Sequence, residues 1–115
     1  MTDTGMDARE KKCLSTLGLC ARAGKLAVGT PLVCETLRGR PGQILLVLEA
    51  ADTSENTHKR LTDRCGYYHT THVRLTVSSD QLGHAVGKTH PVAAVGVTDP
   101  QLVRALRPHI DEPNL

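Results

Sequence analysis

The sequence predicts an α/β protein, a three-layer α/β/α sandwich around a four-stranded mixed central sheet. Five segments with helical spacing of apolar residues alternate along the chain with four short strand-like segments. Two continuous apolar runs, residues 44–48 and 92–97, are typical of strands buried on both faces. This alternation places helices on both sides of one sheet, with the two apolar runs at its centre.

The first half of the chain supplies two helices and an edge strand. Residues 9–23 carry apolar side chains at helical spacing and predict the first helix. Residues 25–28 alternate like a short edge strand. Thr30 has the character of a helix N-cap and Pro31 suits the first helical position, so a second helix is expected to run to about residue 38.

The second half supplies three helices and the remaining strands. Asp52 and Glu55 have the spacing of a capping box that opens the third helix. Residues 73–77 alternate as in a half-exposed strand, and Ser78 begins another capping box. The last helix is expected to start at residues 99–100, directly after the second buried run.

The length and the chain ends indicate one domain. A chain of 115 residues is in the usual range for a single core. We expect an acidic N-terminal tail over residues 1–8, the domain over 9–110 and a C-terminal tail over 111–115. The polar N-terminus lacks the apolar core of a signal peptide, and the apolar runs are too short to span a membrane. We therefore expect a cytoplasmic protein without a membrane partner.

The distribution of charge is compatible with a polyanionic partner. The formal net charge is +2, but residues 9–110 carry all fourteen basic residues against eight acidic ones. A local basic patch can hold a polyanion by counterion release even when the overall charge is modest. Aromatic residues make up 2% of the chain, which has no Trp or Phe. This excludes nucleic-acid-binding sheets that stack bases on several aromatic side chains.

Motifs for catalysis and cofactors are absent from the sequence. It contains no P-loop, no G-x-G-x-x-G, no nucleophile elbow and no carboxylate pair spaced for acid–base chemistry. We expect neither an enzyme nor a cofactor. Cys65, His69 and His72 could offer ligands near the end of a helix, but three scattered ligands are more typical of core and surface residues. No metal site is therefore expected.

An ordered set of short motifs runs through residues 10–110. It comprises LGLCARAGK at 17–25, GT at 29–30, EAAD at 49–52, SENTHK at 54–59, DRC at 63–65 with Tyr68, LG at 82–83, GK at 87–88 and the final strand and turn at 92–99. In these motifs the chain resembles the bacterial YlxQ-like proteins of the ribosomal-protein L7Ae superfamily, whose members bind kink-turn RNA. The resemblance implies non-catalytic binding of structured RNA by a ribosome- or translation-associated protein.

The resemblance also implies which residues contact RNA. The start of the second helix, which enters the RNA groove in kink-turn binders, corresponds to Gly29, Thr30, Pro31, Leu32 and Glu35. The loop before the last central strand corresponds to His90, Pro91 and Val92, and the end of the first central strand corresponds to Glu49 and Ala50. The basic residues expected to hold phosphates are Arg22, Lys25, Arg38 and Lys88.

Three positions depart from the kink-turn pattern. The family pattern has Asn-Glu where this chain has Pro31 and Leu32, and a Lys where it has Glu35. A good bidentate base contact is worth about 1–3 kcal/mol of discrimination, so losing such contacts removes much of the sequence preference. We therefore expect RNA binding with an altered or relaxed preference for kink-turns.

Two other function classes stay open at this point. A protein-interaction module on the same scaffold is compatible with the low net charge and with Glu35. A small-ligand-binding α/β domain is the second alternative, although the sequence has no glycine-rich phosphate loop. The RNA candidates include ribosomal RNA, a small regulatory RNA and a tRNA precursor.

Overall fold

Four strands form one mixed sheet in the computed structural model, which describes residues 7–110. They are β1 (Leu26–Val28), β2 (Leu46–Glu49), β3 (Thr71–Arg74) and β4 (Ala94–Val97), in the spatial order β1-β4-β2-β3. β4 is antiparallel to both of its neighbours, whereas β2 and β3 are parallel. The two apolar runs thus provide the central strands, and every residue of β2 and β4 is buried, as predicted.

Helices cover both faces of this sheet. Within residues 7–110 they are α1 (Ala8–Arg22), α2 (Thr30–Gly39), α3 (Glu55–Tyr67), α4 (Ser79–Ala85) and α5 (Pro100–Leu106), with a short 3-10 turn at Arg107–His109. One apolar core lies between the sheet and α1, α4 and α5, and a second lies between the sheet and α2 and α3. The predicted α/β/α sandwich is confirmed. Among the same residues, no helix has the length and apolar character needed to span a membrane.

The alternation of side chains along β2 explains the two cores. Leu46 and Leu48 point towards α1, α4 and α5, and Val47 between them points towards α2 and α3. All three are at most 1% exposed. Full burial of an aliphatic side chain of this size contributes about 1.5–3 kcal/mol, so the strand stabilises both layers at once.

Several helix starts match their sequence signals. Ser78 and Gln81 form the predicted capping box at α4, and Asp99 caps α5. A further capping box joins Asp7 and Glu10 at α1, so residues 7 and 8, expected in the N-terminal tail, belong to the first helix. The rest of that tail, residues 1–6, and the expected C-terminal tail at 111–115 lie outside the described residues.

Two predicted caps are wrong. α2 begins one residue earlier than expected, with Gly29 as N-cap at a positive φ of 99°, and the buried Thr30 hydroxyl has no hydrogen-bond partner among the residues described. α3 is capped by Ser54 instead of Asp52. The Asp52 carboxylate accepts a hydrogen bond from the Ser79 N–H at 2.8 Å, and thereby ties the β2–α3 loop to the start of α4.

The third strand is shifted relative to its prediction. β3 covers residues 71–74, whereas the alternation predicted 73–77. Leu75 N–H donates to the Glu49 carbonyl at 2.7 Å, and β2 ends at Glu49. Beyond this point no strand among residues 7–110 continues the ladder beside β3, so Leu75 and Val77 are buried without belonging to the sheet.

Candidate nucleic-acid interface

The start of α2 and the loop before β4 meet at one edge of the sheet. Because β4 is antiparallel to β1 and β2, the last residues of those two strands lie beside the first residue of β4. Gly29 N–H donates to the Ala94 carbonyl and Ala50 N–H donates to the Ala93 carbonyl, each at 2.8 Å. We call this surface, formed by residues 29–32, 49–50 and 90–92, the loop edge.

The loop edge exposes only some of the residues that the sequence assigned to RNA. Pro31, Leu32, Glu35, His90 and Pro91 are exposed, with Leu32 at 45%. The side chains of Thr30, Glu49, Ala50 and Val92 are buried. The first group can touch a ligand directly. The second group supports the surface from below. Contrary to the expectation, the side chains of Glu49 and Ala50 therefore do not line the surface.

Close backbone packing holds the loop before β4 in place. A Cβ atom added at Gly83 in α4 would lie 2.2 Å from the His90 carbonyl oxygen, so only glycine allows this approach. Val92 N–H donates to the Ser79 carbonyl at 3.0 Å, and Lys88 N–H donates to the Gly83 carbonyl at 2.9 Å. The position of His90 and Pro91 is therefore fixed by α4.

A basic groove between α2 and α3 borders the loop edge. It is lined by Pro31, Cys34, Glu35, Arg38, Arg60 and Arg64. Sequence reasoning selected Arg38 but missed Arg60 and Arg64, which share one face of α3 because they are four residues apart. Three guanidinium groups against one carboxylate make this groove suitable for phosphate oxygens.

The remaining expected phosphate contacts lie away from the basic groove. The Lys25 carbonyl accepts a hydrogen bond from Thr98 N–H, which places Lys25 at the opposite end of β1 from Gly29, about 13 Å along the strand. Arg22 ends α1 and lines the cleft between α1 and α4 together with Gly87, next to Lys88 in the chain. Arg22, Lys25 and Lys88 are therefore outside the basic groove, with Lys25 bonded to the end of α1 through its N–H and the Cys20 carbonyl.

Beneath the loop edge, Glu49 forms a cluster with two histidines. Its side chain is 0% exposed, with Oε1 2.9 Å from His58 Nδ1 and 2.8 Å from His72 Nε2. The Thr53 hydroxyl donates to Oε2, and Arg74 Nε lies 3.9 Å from Oε2. We call Glu49, His58 and His72 the carboxylate–histidine cluster.

The surroundings of Glu49 favour its ionised form. Burial alone would raise the pKa of this carboxyl, but hydrogen bonds from Thr53, His58 and His72 outweigh that effect and hold the pKa below its ordinary value. Sequence reasoning grouped His72 with Cys65 and His69. The structure instead turns His72 towards Glu49, while Cys65 is buried in the α2–α3 core and His69 is exposed.

Comparison with known proteins identifies relatives along most of the chain. A sequence model of the ribosomal protein L7Ae/L30e/S12e/Gadd45 family matches residues 11–106. A Bacillus subtilis protein named RNA-binding protein YlxQ is 39% identical over 83 residues, covering 72% of this chain and 79% of the relative. An Enterococcus faecium protein of the same name is 32% identical over 93 residues, covering 81% and 85%.

Solved structures share the same fold. A Bacillus halodurans protein described as having unknown function superposes with a TM-score of 0.77 at 39% identity, covering 88% of this chain and 98% of its own. The Giardia lamblia 15.5kD RNA binding protein superposes with a TM-score of 0.72 at 17% identity, covering 91% and 87%. The second likeness, at this identity, concerns the fold alone.

Proposed function

The chain belongs to the ribosomal protein L7Ae/L30e/S12e/Gadd45 family as a YlxQ-like member, and from this premise we propose that it binds structured RNA through the loop edge and the basic groove. The observation that carries the proposal is the meeting of the α2 start with the loop before β4, held by the Gly29–Ala94 hydrogen bond. Binding requires no catalytic step. Ribosomal RNA and other kink-turn-like RNAs of the translation apparatus are the proposed ligands.

The residues exposed on the loop edge favour recognition of RNA by its shape over recognition of its base edges. Pro31 has no backbone N–H to donate, and Leu32 presents an exposed apolar side chain where a polar one would read a base edge. Such side chains contact sugars and base faces but form no hydrogen bonds that distinguish G·A pairs. This supports the part of the proposal in which the preference for kinked RNA is weaker than that of a typical kink-turn binder.

The basic groove is where we expect the phosphate backbone of the RNA to lie. Arg38 and Arg64 line the same groove as Pro31, so in this proposal an RNA strand that touches the start of α2 continues along the groove towards both arginines. Arginine can bind phosphate oxygens in a bidentate manner. In this proposal Arg22, Lys25 and Lys88 hold phosphates of a longer RNA beyond the loop edge.

A salt series of binding measurements tests the proposal. Affinity for a kink-turn RNA and for a matched unkinked duplex is measured with the unmodified chain, with the double variant Arg38→Glu plus Arg64→Glu, and with the control Lys12→Glu plus Arg104→Glu. The control carries the same charge change on exposed positions of α1 and α5, across the sheet. We expect the first variant to lose at least tenfold in affinity and about two units of salt slope, because each phosphate contact contributes about 0.9.

Three outcomes would contradict the proposal. Equal losses in the two double variants would show non-specific attraction instead of a defined surface. Absence of RNA binding at low salt would favour the protein-interaction alternative. Tight binding that is selective for the kink-turn would refute the weakened preference assigned to Pro31 and Leu32.

A further inference from the structure

We propose that Glu49, His58 and His72 form a binding site for one divalent transition-metal ion of the Zn²⁺ class. The three side chains come from three different elements: β2, α3 and β3. Their ligand atoms, one carboxylate oxygen and two imidazole nitrogens, all lie within 4.8 Å of one another. Two histidines with one carboxylate are a ligand set that zinc uses in proteins where further positions stay open to solvent.

The fold brings the three residues together through strand register. In the parallel pair of β2 and β3, Val47 is opposite His72 and Glu49 is opposite Arg74. Val47 and Glu49 point to the α3 side of the sheet, so His72 lies diagonally next to Glu49 on that side. His58 lies near the start of α3 and reaches down to the same carboxylate, with its ring centroid 6.0 Å from that of His72.

The distances require only a small opening of the cluster. Zinc bonds to nitrogen and oxygen are about 2.0–2.2 Å long, so neighbouring ligand atoms in a tetrahedral site are roughly 3.3 Å apart. The present nitrogen-to-oxygen separations are 2.8 and 2.9 Å. Both nitrogens must withdraw from Oε1 by about half an ångström to give the ion room, and His58, the most exposed member at 41%, is the freer of the two histidines to move.

The surrounding groups orient one oxygen of Glu49 towards the histidines. Both histidine nitrogens approach Oε1, although His58 Nδ1 is almost as close to Oε2, at 3.0 Å. The Thr53 hydroxyl and Arg74 approach Oε2 alone. A ligating carboxylate whose second oxygen is hydrogen-bonded in this way is held for monodentate coordination. The exposed side of His58 leaves room for water as a further ligand.

The test uses the tag-free full chain after treatment with a chelator. Zn²⁺ alone is titrated by calorimetry, Co²⁺ alone by its visible absorption, and the melting temperature is recorded with and without one equivalent of Zn²⁺. We expect one ion per chain, a rise in melting temperature on Zn²⁺ addition, and a Co²⁺ spectrum typical of four- or five-coordinate nitrogen and oxygen ligands.

Variants distinguish the cluster from other histidines. His58→Ala removes a partly exposed ligand, and Glu49→Gln keeps the shape of the carboxyl group but removes its charge. Each is expected to weaken Zn²⁺ affinity at least tenfold and to abolish the rise in melting temperature. The matched control is His84→Ala, because His84 is also an exposed histidine on a helix but lies on α4, away from the cluster.

His58→Ala keeps the proposal testable if Glu49→Gln does not fold. Unchanged Zn²⁺ affinity in His58→Ala would overturn the site, and so would an equal loss in His84→Ala. Less than one bound ion per unmodified chain, or no rise in its melting temperature, would show that the three side chains form only a hydrogen-bonded network.

Discussion

At the scale of single residues, burial in apolar surroundings changes the pKa of cysteine thiols. All four are free and buried. Burial raises the pKa of Cys13 to about 11, with Cys20 and Glu10 adding to the effect, and raises the pKa of Cys65 to about 12, with Cys34 and Glu49 adding to it. The folded core therefore favours the neutral thiol, whereas an unfolded chain ionises its thiols near pH 9.

This difference predicts an alkaline loss of stability. For Cys13 and Cys65 the stabilisation is fully present below about pH 9. It is lost as the pH rises from there towards the folded pKa of about 11 for Cys13 and about 12 for Cys65, because in that interval the unfolded chain ionises these two thiols before the folded chain does. Urea unfolding measured at neutral pH and at pH values above 9 checks this. The variant Cys65→Val, which cannot ionise, should lose less stability over the same interval. Identical pH profiles for the two proteins would contradict the prediction.

The burial of a charged side chain, that of Glu49, was the feature that the sequence predicted least well. Glu49 directly follows a buried apolar run, and the family resemblance implied that it lines the RNA-binding surface. Its burial depends on three partners: Thr53 in the β2–α3 loop, His58 on α3 and His72 on β3. His72 reaches the carboxylate only once β2 and β3 have paired. Nothing in the local sequence specifies that pairing, which explains why His58 was missed as its neighbour.

At the scale of elements, hydrophobic patterning and cap signals predicted the five α-helices and the four strands within residues 7–110, with β3 shifted, but the cap residues were predicted less well. Ser78 and Asp99 were predicted as caps, and both cap their helices. Asp52 had Ser54 as a rival, and the serine caps α3 because Asp52 binds the start of α4. When two capping side chains stand close together, a tertiary contact decides which of them caps the helix.

The contact between α4 and the loop before β4 gives a prediction of its own. Gly83→Ala should destabilise the protein by about 1–3 kcal/mol, because the added methyl group meets the His90 carbonyl. It should also weaken RNA binding, since the displaced loop carries His90 and Pro91. Denaturant unfolding and RNA titration measure the two effects.

The matched control for this substitution is Gly66→Ala in α3. A Cβ at Gly66 meets no heavy atom within 4 Å, and the residue does not have a positive φ. This variant should be more stable by roughly 0.5–1 kcal/mol, because alanine loses less backbone entropy in a helix than glycine does. If the Gly83→Ala protein were as stable as the Gly66→Ala protein, the loop before β4 would be able to move away from the added methyl group without loss of stability.

At the scale of the whole molecule, the order of the strands was only partly predictable. The unbroken apolar runs correctly placed β2 and β4 at the centre, since such runs are typical of strands covered on both faces inside a sheet. Whether β1 and β3 pair parallel or antiparallel to their neighbours depends on chain connections that periodicity does not describe. The loop edge depends on those directions, so its geometry became visible only in the structure.

The strand order predicts a gradient of protection against hydrogen exchange. Amides of β2 and β4, such as those of Val47 and Val95, should exchange most slowly, because both strands are covered on both faces and paired on both sides. Amides of the edge strands β1 and β3 should exchange faster, although they belong to the same sheet. Slowest exchange in an edge strand would contradict the gradient. Exchange followed by NMR resolves the individual positions.

The sheet divides the interior of the protein into two separate apolar volumes. Substitutions beneath α2 and α3 should leave the packing of α1, α4 and α5 almost untouched. When one substitution from each side is combined in a double-mutant cycle, the changes in the free energy of unfolding should be close to additive. The α2–α3 layer, which carries the basic groove, can therefore diverge in sequence while the opposite layer preserves the architecture and the loop before β4, which permits descendants of one scaffold to acquire different nucleic-acid preferences.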